Sequence, residues 1–343
     1  LRWIYESSPL EYIKKNQPLS GVKRYEDELF TNIRKIDPSL EIDRIHRLEN
    51  GFLGSTPLSW LYRYAVKDAD IVHATYQTLA PSIRIKKPKK FIVTVHDLAP
   101  LVYPELQDNF STKIQWQMTP RGLRKADFII AISNFTKKEI VRLCKIDEQK
   151  VEVVHQGVDS ERYHPLDKDK SRKEIGLNPE GEYILVVASN LTHKRMDLTK
   201  KIFDNVRKQR PDVQLIKVGY GDVLQGQGII NLGWVKEDDM PLLYNAADLF
   251  LHTAEYEGFG LPILEAMACG CSVIGMNRAS IPEIIENSGI LMNTDRVNEW
   301  TRAILDLFEN DELRRDLHRR GMRRGELFSW EKTAHETLSI YNS

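Results

Sequence analysis

Short, continuously apolar runs alternate with amphipathic stretches along the chain. FIVTV (91–95), FIIAI (128–132) and YILVVA (183–188) hold almost no polar residue, which is typical of strands buried on both faces of a parallel sheet. Between such runs, GVKRYEDELFTNIRK (21–35) and NFTKKEIVRLC (134–144) carry apolar residues three and four positions apart, the spacing of an amphipathic helix. This alternation predicts an α/β protein whose parallel sheets are covered by helices on both faces.

The same alternation occurs on both sides of a polar segment, SERYHPLDKDKSRKEIGLNPE (160–180), which has two prolines and no strand pattern. A chain of 343 residues is also longer than one core usually serves. We therefore predict two doubly wound, Rossmann-like domains that face each other across a cleft, with the polar segment as the hinge. The predicted bounds are 1–165 for the N-terminal domain, 166–329 for the C-terminal domain, and 330–343 for a last helix that packs back on the first domain.

Composition narrows the class of protein. Lys+Arg and Asp+Glu both count 49, so the formal net charge is zero, and this argues against bulk nucleic-acid binding. The three cysteines form a sparse, odd set that fits a reducing cytoplasm. No apolar stretch approaches the ~20 residues of a membrane span. We expect a cytoplasmic protein.

Local charge raises two further possibilities. The basic segments IRIKKPKK (83–90) and KIQWQMTPRGLRK (113–125), the second with Trp116 among its cations, indicate a solvated surface or peripheral contact with the inner face of a membrane. Asp68-Ala69-Asp70 resembles a metal-binding D-x-D, but it precedes the strand-like run IVHAT. Ligands of open α/β sheets sit beyond the carboxyl ends of strands instead, so we predict no metal site.

The stretch EYEGFGLPILEAMACG (255–270) carries Glu257 and Glu265 on either side of a glycine-rich loop. Pro262 suits the first turn of a helix that ends near Gly270. The N–H groups at such a helix start bind phosphate. This arrangement predicts a nucleotide-sugar site, in which one carboxylate accepts from a ribose diol and the other from sugar hydroxyls.

A glycosidase is the rival interpretation of the two glutamates. It would need one carboxyl with a raised pKa in an apolar pocket, whereas an anion-binding loop favours the ionised form.

A departing diphosphate also needs a cation, and Lys194, with or without Arg195, is the best candidate. His96 follows FIVTV together with Asp97 at a predicted strand end, which favours a functional role. Four other histidines are interpreted as ordinary hydrogen-bonded residues: His73, His155, His193 and His252.

Motifs along nearly the whole chain resemble those of one family. EYEGFGLPILEAMACGCSVI (255–274) resembles the E-x7-E signature of the retaining family 4 glycosyltransferases of GT-B fold. LSGVKRYEDEL (19–29) resembles their N-terminal glycine loop, VTVHDLAPLVYPE (93–105) their His-Asp segment, and VEVVHQGVDSERYHP (151–165) their linker. The resemblance implies metal-independent transfer of a hexose, with retention of configuration, from a nucleotide diphosphate sugar to a glycan or lipid-linked glycan. No cofactor is implied.

The resemblance also implies roles for single residues. Lys194 would bind the donor phosphate, Glu257 the sugar, Glu265 the ribose hydroxyls, and His96 would approach the transferred sugar. The remaining donor-side positions are Gly21 near the phosphate, Val235 where the main chain reads the base, and the backbone of Gly258, Phe259, Gly260 and Leu261.

This chain departs from the family pattern at one position and leaves the donor open. Asn190 stands where relatives often have arginine, which makes Arg195 the candidate for the missing charge. The VHDLAPLVYPE segment favours GDP-mannose over UDP-sugars. Two alternatives are a non-catalytic nucleotide-sugar binder and a nucleotide-sugar 2-epimerase of the same fold.

Overall fold

The computed structural model describes residues 2–4, 21–45, 70–84, 88–221 and 224–343. Asp68 and the middle of the basic segment 83–90 lie outside these ranges. The described residues divide into two compact units: those up to Gly157 together with Trp330–Ser343, and Val158–Ser329. Among the described residues, no helix is both long enough and apolar enough to cross a membrane.

The first unit is built on a six-stranded parallel sheet with the order β2-β1-β3-β4-β5-β6. Its strands are β1 (Arg2–Ile4), β2 (Asp43–Ile45), β3 (Ile71–Ala74), β4 (Lys90–Val95), β5 (Phe128–Ala131) and β6 (Val151–Val153). Its helices are α1 (Gly21–Ile36), α2 (Ala99–Val102), α3 (Phe110–Leu123), α4 (Asn134–Cys144) and the C-terminal helix (Trp330–Asn342). The helices predicted at 21–35 and 134–144 are confirmed as α1 and α4. Ser133 caps α4, since its side chain accepts from the Thr136 N–H.

The core of this unit corrects one expectation about the basic segment 113–125. Trp116 lies on α3 and is 4% exposed, packed with strand residues such as Phe91 and Ile129. Its indole is therefore part of the hydrophobic core. It is not a surface group that could anchor on a membrane beside the neighbouring cations.

The C-terminal helix is joined to the first unit by buried hydrogen bonds. The Thr333 hydroxyl donates to the His155 carbonyl at 2.7 Å, and His73 Nδ1 lies 2.6 Å from the Tyr341 hydroxyl. The other ring nitrogen of His73, Nε2, lies 2.7 Å from the Thr94 hydroxyl. Both nitrogens of His73 thus have protein partners, as expected for an ordinary buried histidine.

The polar segment 160–180, interpreted from the sequence as the hinge, lies in the second unit. Asn245 fixes it there, because its side chain accepts from the Leu166 N–H at 2.7 Å and donates to the His164 carbonyl at 3.0 Å. The chain passes between the units at Gly157 and Val158 instead. Val158 donates its N–H to the Phe328 carbonyl at 3.0 Å.

The second unit has a six-stranded parallel sheet with the order β12-β11-β10-β7-β8-β9. Its strands are β7 (Tyr183–Val187), β8 (Gln214–Val218), β9 (Ile229–Gly233), β10 (Leu249–His252), β11 (Ser272–Met276) and β12 (Ile290–Met292). Its helices are α5 (Lys168–Glu174), α6 (Met196–Gln209), α7 (Met240–Ala246), α8 (Leu261–Ala268), α9 (Ile281–Ile285), α10 (Val297–Glu309) and α11 (Asp311–Gly325).

Strand order locates the expected ligand crevice of this unit. Chain order proceeds from β7 to β8 and β9 on one side, then returns to β10 on the other side of β7. In doubly wound sheets the crevice lies beyond the carboxyl ends of the strands at this reversal. The loops that follow β7 and β10 are therefore the first place to look for a site.

Candidate active site

An ion pair connects the two loops at the strand-order reversal. Lys194 ends a short helical turn after β7, and Glu257 lies in the loop after β10. The Lys194 ammonium donates to Glu257 Oε2 at 2.7 Å, and the two side chains are 17% and 18% exposed. His252, the last residue of β10, brings its Nε2 to 3.4 Å from the same oxygen.

The neighbours of Glu257 decide its ionisation. Burial by itself would raise the pKa of this carboxyl, but Lys194 and His252 outweigh burial and hold the pKa well below its usual range. Glu257 is therefore ionised at neutral pH. A group held in this state does not serve as the protonated acid that a glycosidase needs, which weighs against the hydrolytic interpretation.

Backbone contacts hold the loop that carries Glu257. The Glu255 N–H donates to the His193 carbonyl at 2.9 Å. The Ser280 hydroxyl is fully buried and lies 2.9 Å from the Glu257 carbonyl and 2.8 Å from the Phe259 carbonyl. In a trans peptide the C=O and the next N–H point in opposite directions, so Ser280 also sets the directions of the N–H groups of Gly258 and Gly260. Ser280 has no signal in the sequence, because no spacing rule links it to the glycine loop.

The helix after the loop begins and ends as predicted. Gly260 precedes α8 with a left-handed φ of 107°, and Pro262 lies in the first turn. A Cβ on Gly260 would lie 3.2 Å from the Ile263 Cδ1 atom, so a glycine suits this position both conformationally and sterically. Gly270, with a φ of 76°, follows the helix as its left-handed terminator.

Glu265 is buried on α8, at 4% exposure. Its Oε2 accepts a hydrogen bond from the Tyr244 hydroxyl at 2.8 Å. Tyr244 lies on α7, which precedes β10, and is completely buried. Tyr244 was not among the predicted site residues, because its only signal in the sequence is its place on the helix before the strand that leads to Glu257.

The sequence matches two glycosyltransferase family models, which together span most of the chain. The family described as Glycosyltransferase Family 4 matches residues 25–162, and the one described as Glycosyl transferases group 1 matches residues 167–324. O-antigen chain mannosyltransferase B of Escherichia coli is 26% identical, across 99% of this chain and 99% of that protein. The serotype-specific mannosyltransferase WbdA of the same species is 27% identical, across 72% of this chain and 33% of its own length. The chain belongs to the family 4 glycosyltransferases.

Solved structures show the same fold. Sucrose-phosphate synthase from Thermosynechococcus elongatus superposes with a TM-score of 0.81 at 19% identity, covering 99% of this chain and 98% of that chain. HepE from Anabaena, in complex with UDP and glucose, superposes with a TM-score of 0.74 at 18% identity, covering 100% and 99%. This family 4 glycosyltransferase therefore has the GT-B fold that the sequence predicts.

In this glycosyltransferase, Arg195 is held by acidic side chains. Its guanidinium lies 3.2 Å from carboxylate oxygens of Asp197, Glu255 and Asp295. Arg278 contacts two of the same carboxylates, at 3.2 Å from Glu255 and 3.6 Å from Asp295. This network ties together the loops after β7, β10, β11 and β12. A role of Arg195 in phosphate binding stays a prediction.

Asn190, where the family resemblance implies an arginine, packs against the loop after β8. Its N–H donates to the Tyr220 carbonyl at 3.2 Å, and a Cβ on Gly221 would overlap its side-chain amide, at 2.0 Å from Nδ2. Its Oδ1 is buried and has no hydrogen-bond partner among the described residues. Asn190 therefore shapes the strand-end loops of β7 and β8 and supplies no positive charge.

His96 occupies a buried position in the first unit of the glycosyltransferase. Its Nε2 lies 2.9 Å from the Thr75 carbonyl and therefore donates, while Nδ1 accepts from Gln156 Nε2 at 3.2 Å. Burial, opposed in part by the bond to Thr75, lowers the pKa of His96 to about 4. The ring is neutral at pH 7, and both nitrogens have protein partners. Contact with a sugar hydroxyl would need one of these bonds to be exchanged.

Two further predicted donor-side positions lie at element ends. Gly21 is the first residue of α1, and a Cβ there would meet no described atom within 4 Å. Val235 follows the edge strand β9 and is half-buried. Their roles toward the donor stay predictions. Among the residues that the structure describes, no group of three or more His, Cys, Asp or Glu side chains could hold a metal ion.

Proposed function

We propose that this enzyme transfers a hexose from a nucleoside diphosphate sugar to a hydroxyl of a glycan or lipid-linked glycan, with retention of configuration. Residues 158–329 would bind the donor, and residues up to 157 would present the acceptor. Mannose carried by GDP is the favoured donor. Supporting this choice are the VHDLAPLVYPE segment and two relatives that are named mannosyltransferases. The UDP bound in the HepE structure makes a UDP-sugar the competing possibility.

The observation that carries the proposal is the Lys194–Glu257 pair at the strand-order reversal, with Glu265 buried on the helix after the same loop. A nucleotide sugar presents a diphosphate to a cation and hydroxyls to carboxylates. The pair therefore offers both groups in one place before the donor arrives. Lys194 would bind the diphosphate, Glu257 the hexose, and Glu265 the ribose.

The reaction proceeds on the face of the sugar that the diphosphate leaves. The bond between the anomeric carbon and the diphosphate oxygen breaks as the acceptor oxygen bonds to the same carbon from the same side. The acceptor proton passes to the departing phosphate. Lys194 stabilises the negative charge that develops there. Its contribution to the free energy is larger than the ~0.3–1 kcal/mol that an exposed helix N-terminus provides.

A donor screen tests the proposal. Thermal shifts are measured with UDP, GDP, UDP-glucose and GDP-mannose, first in EDTA and then with magnesium. A shift with GDP and GDP-mannose that is unchanged by EDTA is the expected result. A shift that requires magnesium would contradict metal independence, and a shift with none of the four would refute the proposed donor site.

Two variants then separate the roles of the glutamates. Glu265→Ala should raise the KM for the donor strongly, because hydrogen bonds to a charged group contribute ~1.5–3 kcal/mol each. Glu257→Ala should lower kcat more than it raises KM, because its contact lies at the transferred sugar. Equal and small effects of both changes would refute the assignment.

A lipid-linked acceptor would bring the enzyme to the cytoplasmic face of a membrane. We propose peripheral contact there, through basic residues such as Lys113 and Arg121 on α3, which anionic headgroups would attract. Flotation with phosphatidylglycerol vesicles should succeed at low salt and fail at high salt. Flotation that is independent of salt or of anionic lipid would contradict this electrostatic mode.

A further inference from the structure

The hydroxyl of Tyr244 occupies one oxygen of the buried carboxylate that the proposed function assigns to the donor ribose. It donates to Glu265 Oε2 at 2.8 Å, and the two side chains are 0% and 4% exposed. A carboxylate removed from water needs hydrogen bonds to offset lost hydration. The Tyr244 hydroxyl supplies one such hydrogen bond.

Tyr244 itself is held rigidly. Its ring meets the Phe250 ring edge-on at 5.8 Å between centroids, and the Tyr163 ring at 6.1 Å. Phe250 belongs to the buried strand β10. The tyrosine therefore fixes the position of its hydroxyl relative to the strand that leads to Glu257, and through the hydroxyl it fixes the rotamer of Glu265.

We propose that Tyr244 is a positioning residue for recognition of the donor ribose, an inference that rests on the proposed function of Glu265. A carboxylate has two oxygens with about four acceptor sites. The Tyr244 hydroxyl uses one of these sites and orients the carboxylate plane. A vicinal diol can then donate to the carboxylate in one geometry, without the entropy cost of ordering a mobile side chain.

The test compares ribose with 2′-deoxyribose. Dissociation constants are measured by calorimetry for GDP, 2′-deoxy-GDP, UDP and 2′-deoxy-UDP. Wild type should bind the ribonucleotide of its preferred base roughly ten-fold more tightly than the deoxy form, the factor that corresponds to one hydrogen bond to a charged group. Tyr244→Phe should reduce this ratio to about three-fold or less, because it weakens binding of the ribonucleotide and leaves binding of the deoxy form nearly unchanged.

Tyr183→Phe is the matched control. Tyr183 is also buried in the second unit, at 1% exposure, and its hydroxyl donates to the Asn178 carbonyl at 3.2 Å. Both variants lose one buried hydroxyl, so both lower the melting temperature, but only Tyr244→Phe should change the ribose-to-deoxyribose ratio. A merely structural role would lower stability and leave the ratio at its wild-type value.

The outcomes separate this inference from the proposed function. If wild type discriminates and Tyr244→Phe keeps the full ratio, the positioning role is refuted and the donor site stands. If wild type shows no ribose preference, both the role of Glu265 and the role of Tyr244 are refuted. Should Tyr244→Phe fail to fold, Phe250→Leu is measured instead, because it removes the ring that meets Tyr244 edge-on and keeps both the tyrosine hydroxyl and Glu265. A reduced ribose-to-deoxyribose ratio is expected, and the full wild-type ratio would overturn the inference.

Discussion

Replacing Lys194 by methionine gives the most direct test of the Lys194–Glu257 ion pair. The change keeps most of the side-chain volume and removes the ammonium 2.7 Å from Glu257 Oε2. Removing one partner of a fully buried pair costs ~3–5 kcal/mol, whereas exposed pairs contribute ~0–1 kcal/mol. Because these side chains are 17% and 18% exposed, we expect a loss of ~1–3 kcal/mol in the free energy of unfolding at pH 7.5.

The pH dependence of that loss identifies its cause. In wild type, Lys194 and His252 keep the pKa of Glu257 below its ordinary value despite burial, so the pair stabilises the fold above pH ~4.3, the unfolded value. That stabilisation is lost as the pH falls through the folded value. In Lys194→Met the carboxylate stays buried without its cation. The difference from wild type should therefore be greatest at pH 7.5 and shrink near pH 4.5, where the buried Glu257 of the variant takes up a proton and that of wild type stays ionised.

Urea denaturation of a double-mutant cycle measures the pair itself. Lys194→Met, Glu257→Gln and the double variant should give a coupling energy of ~1–2 kcal/mol. Lys200→Met is the control, because Lys200 pairs with Asp204 one turn away on the exposed side of α6 and should cost no more than ~0.5 kcal/mol. If the single effects are additive within ~0.3 kcal/mol, the two side chains do not stabilise each other, and the stabilising role of the Lys194–Glu257 pair is refuted.

Two further changes test the buried polar groups. The free energy of unfolding of wild type should fall between pH 7.5 and 5.0. His96 should account for about 2 kcal/mol of this fall, because its pKa of about 4 in the fold keeps the ring neutral while the unfolded chain takes up a proton. In denaturant titrations His96→Gln should show a smaller pH dependence than wild type, while His335→Gln, at an exposed position, should match wild type. Ser280→Ala releases the carbonyls of Glu257 and Phe259 and should weaken GDP or UDP binding about three- to ten-fold. Ser171→Ala, which removes a buried hydroxyl bonded to the Asp167 carbonyl, should leave nucleotide binding unchanged, and equal effects of the two serine changes would contradict the loop-anchoring role of Ser280.

Local rules were enough for many of the strands and helices and for the glycine loop. The apolar runs predicted the parallel strands, and Pro262 and Gly270 marked the ends of α8, because start and stop signals act through neighbouring backbone atoms. The E-x7-E spacing pointed to Glu257 and Glu265, whose roles toward the donor stay predictions. The position of the crossing between units differed, because the side chain of Asn245 fixes 164–166 from a distance of about 80 residues along the chain.

Long-range contacts determined the partners of the candidate site residues, which the sequence left open. Glu257 meets Lys194 because β7 and β10 are neighbours in the sheet, and strand order cannot be read from local pattern. The same adjacency brings His252 to the pair and places carboxylates around Arg195. Sequence by itself determined which residue types were available and which elements carry them. The tertiary structure decided their partners, because burial, ionisation and hydrogen bonding depend on atoms that are close in space and distant along the chain.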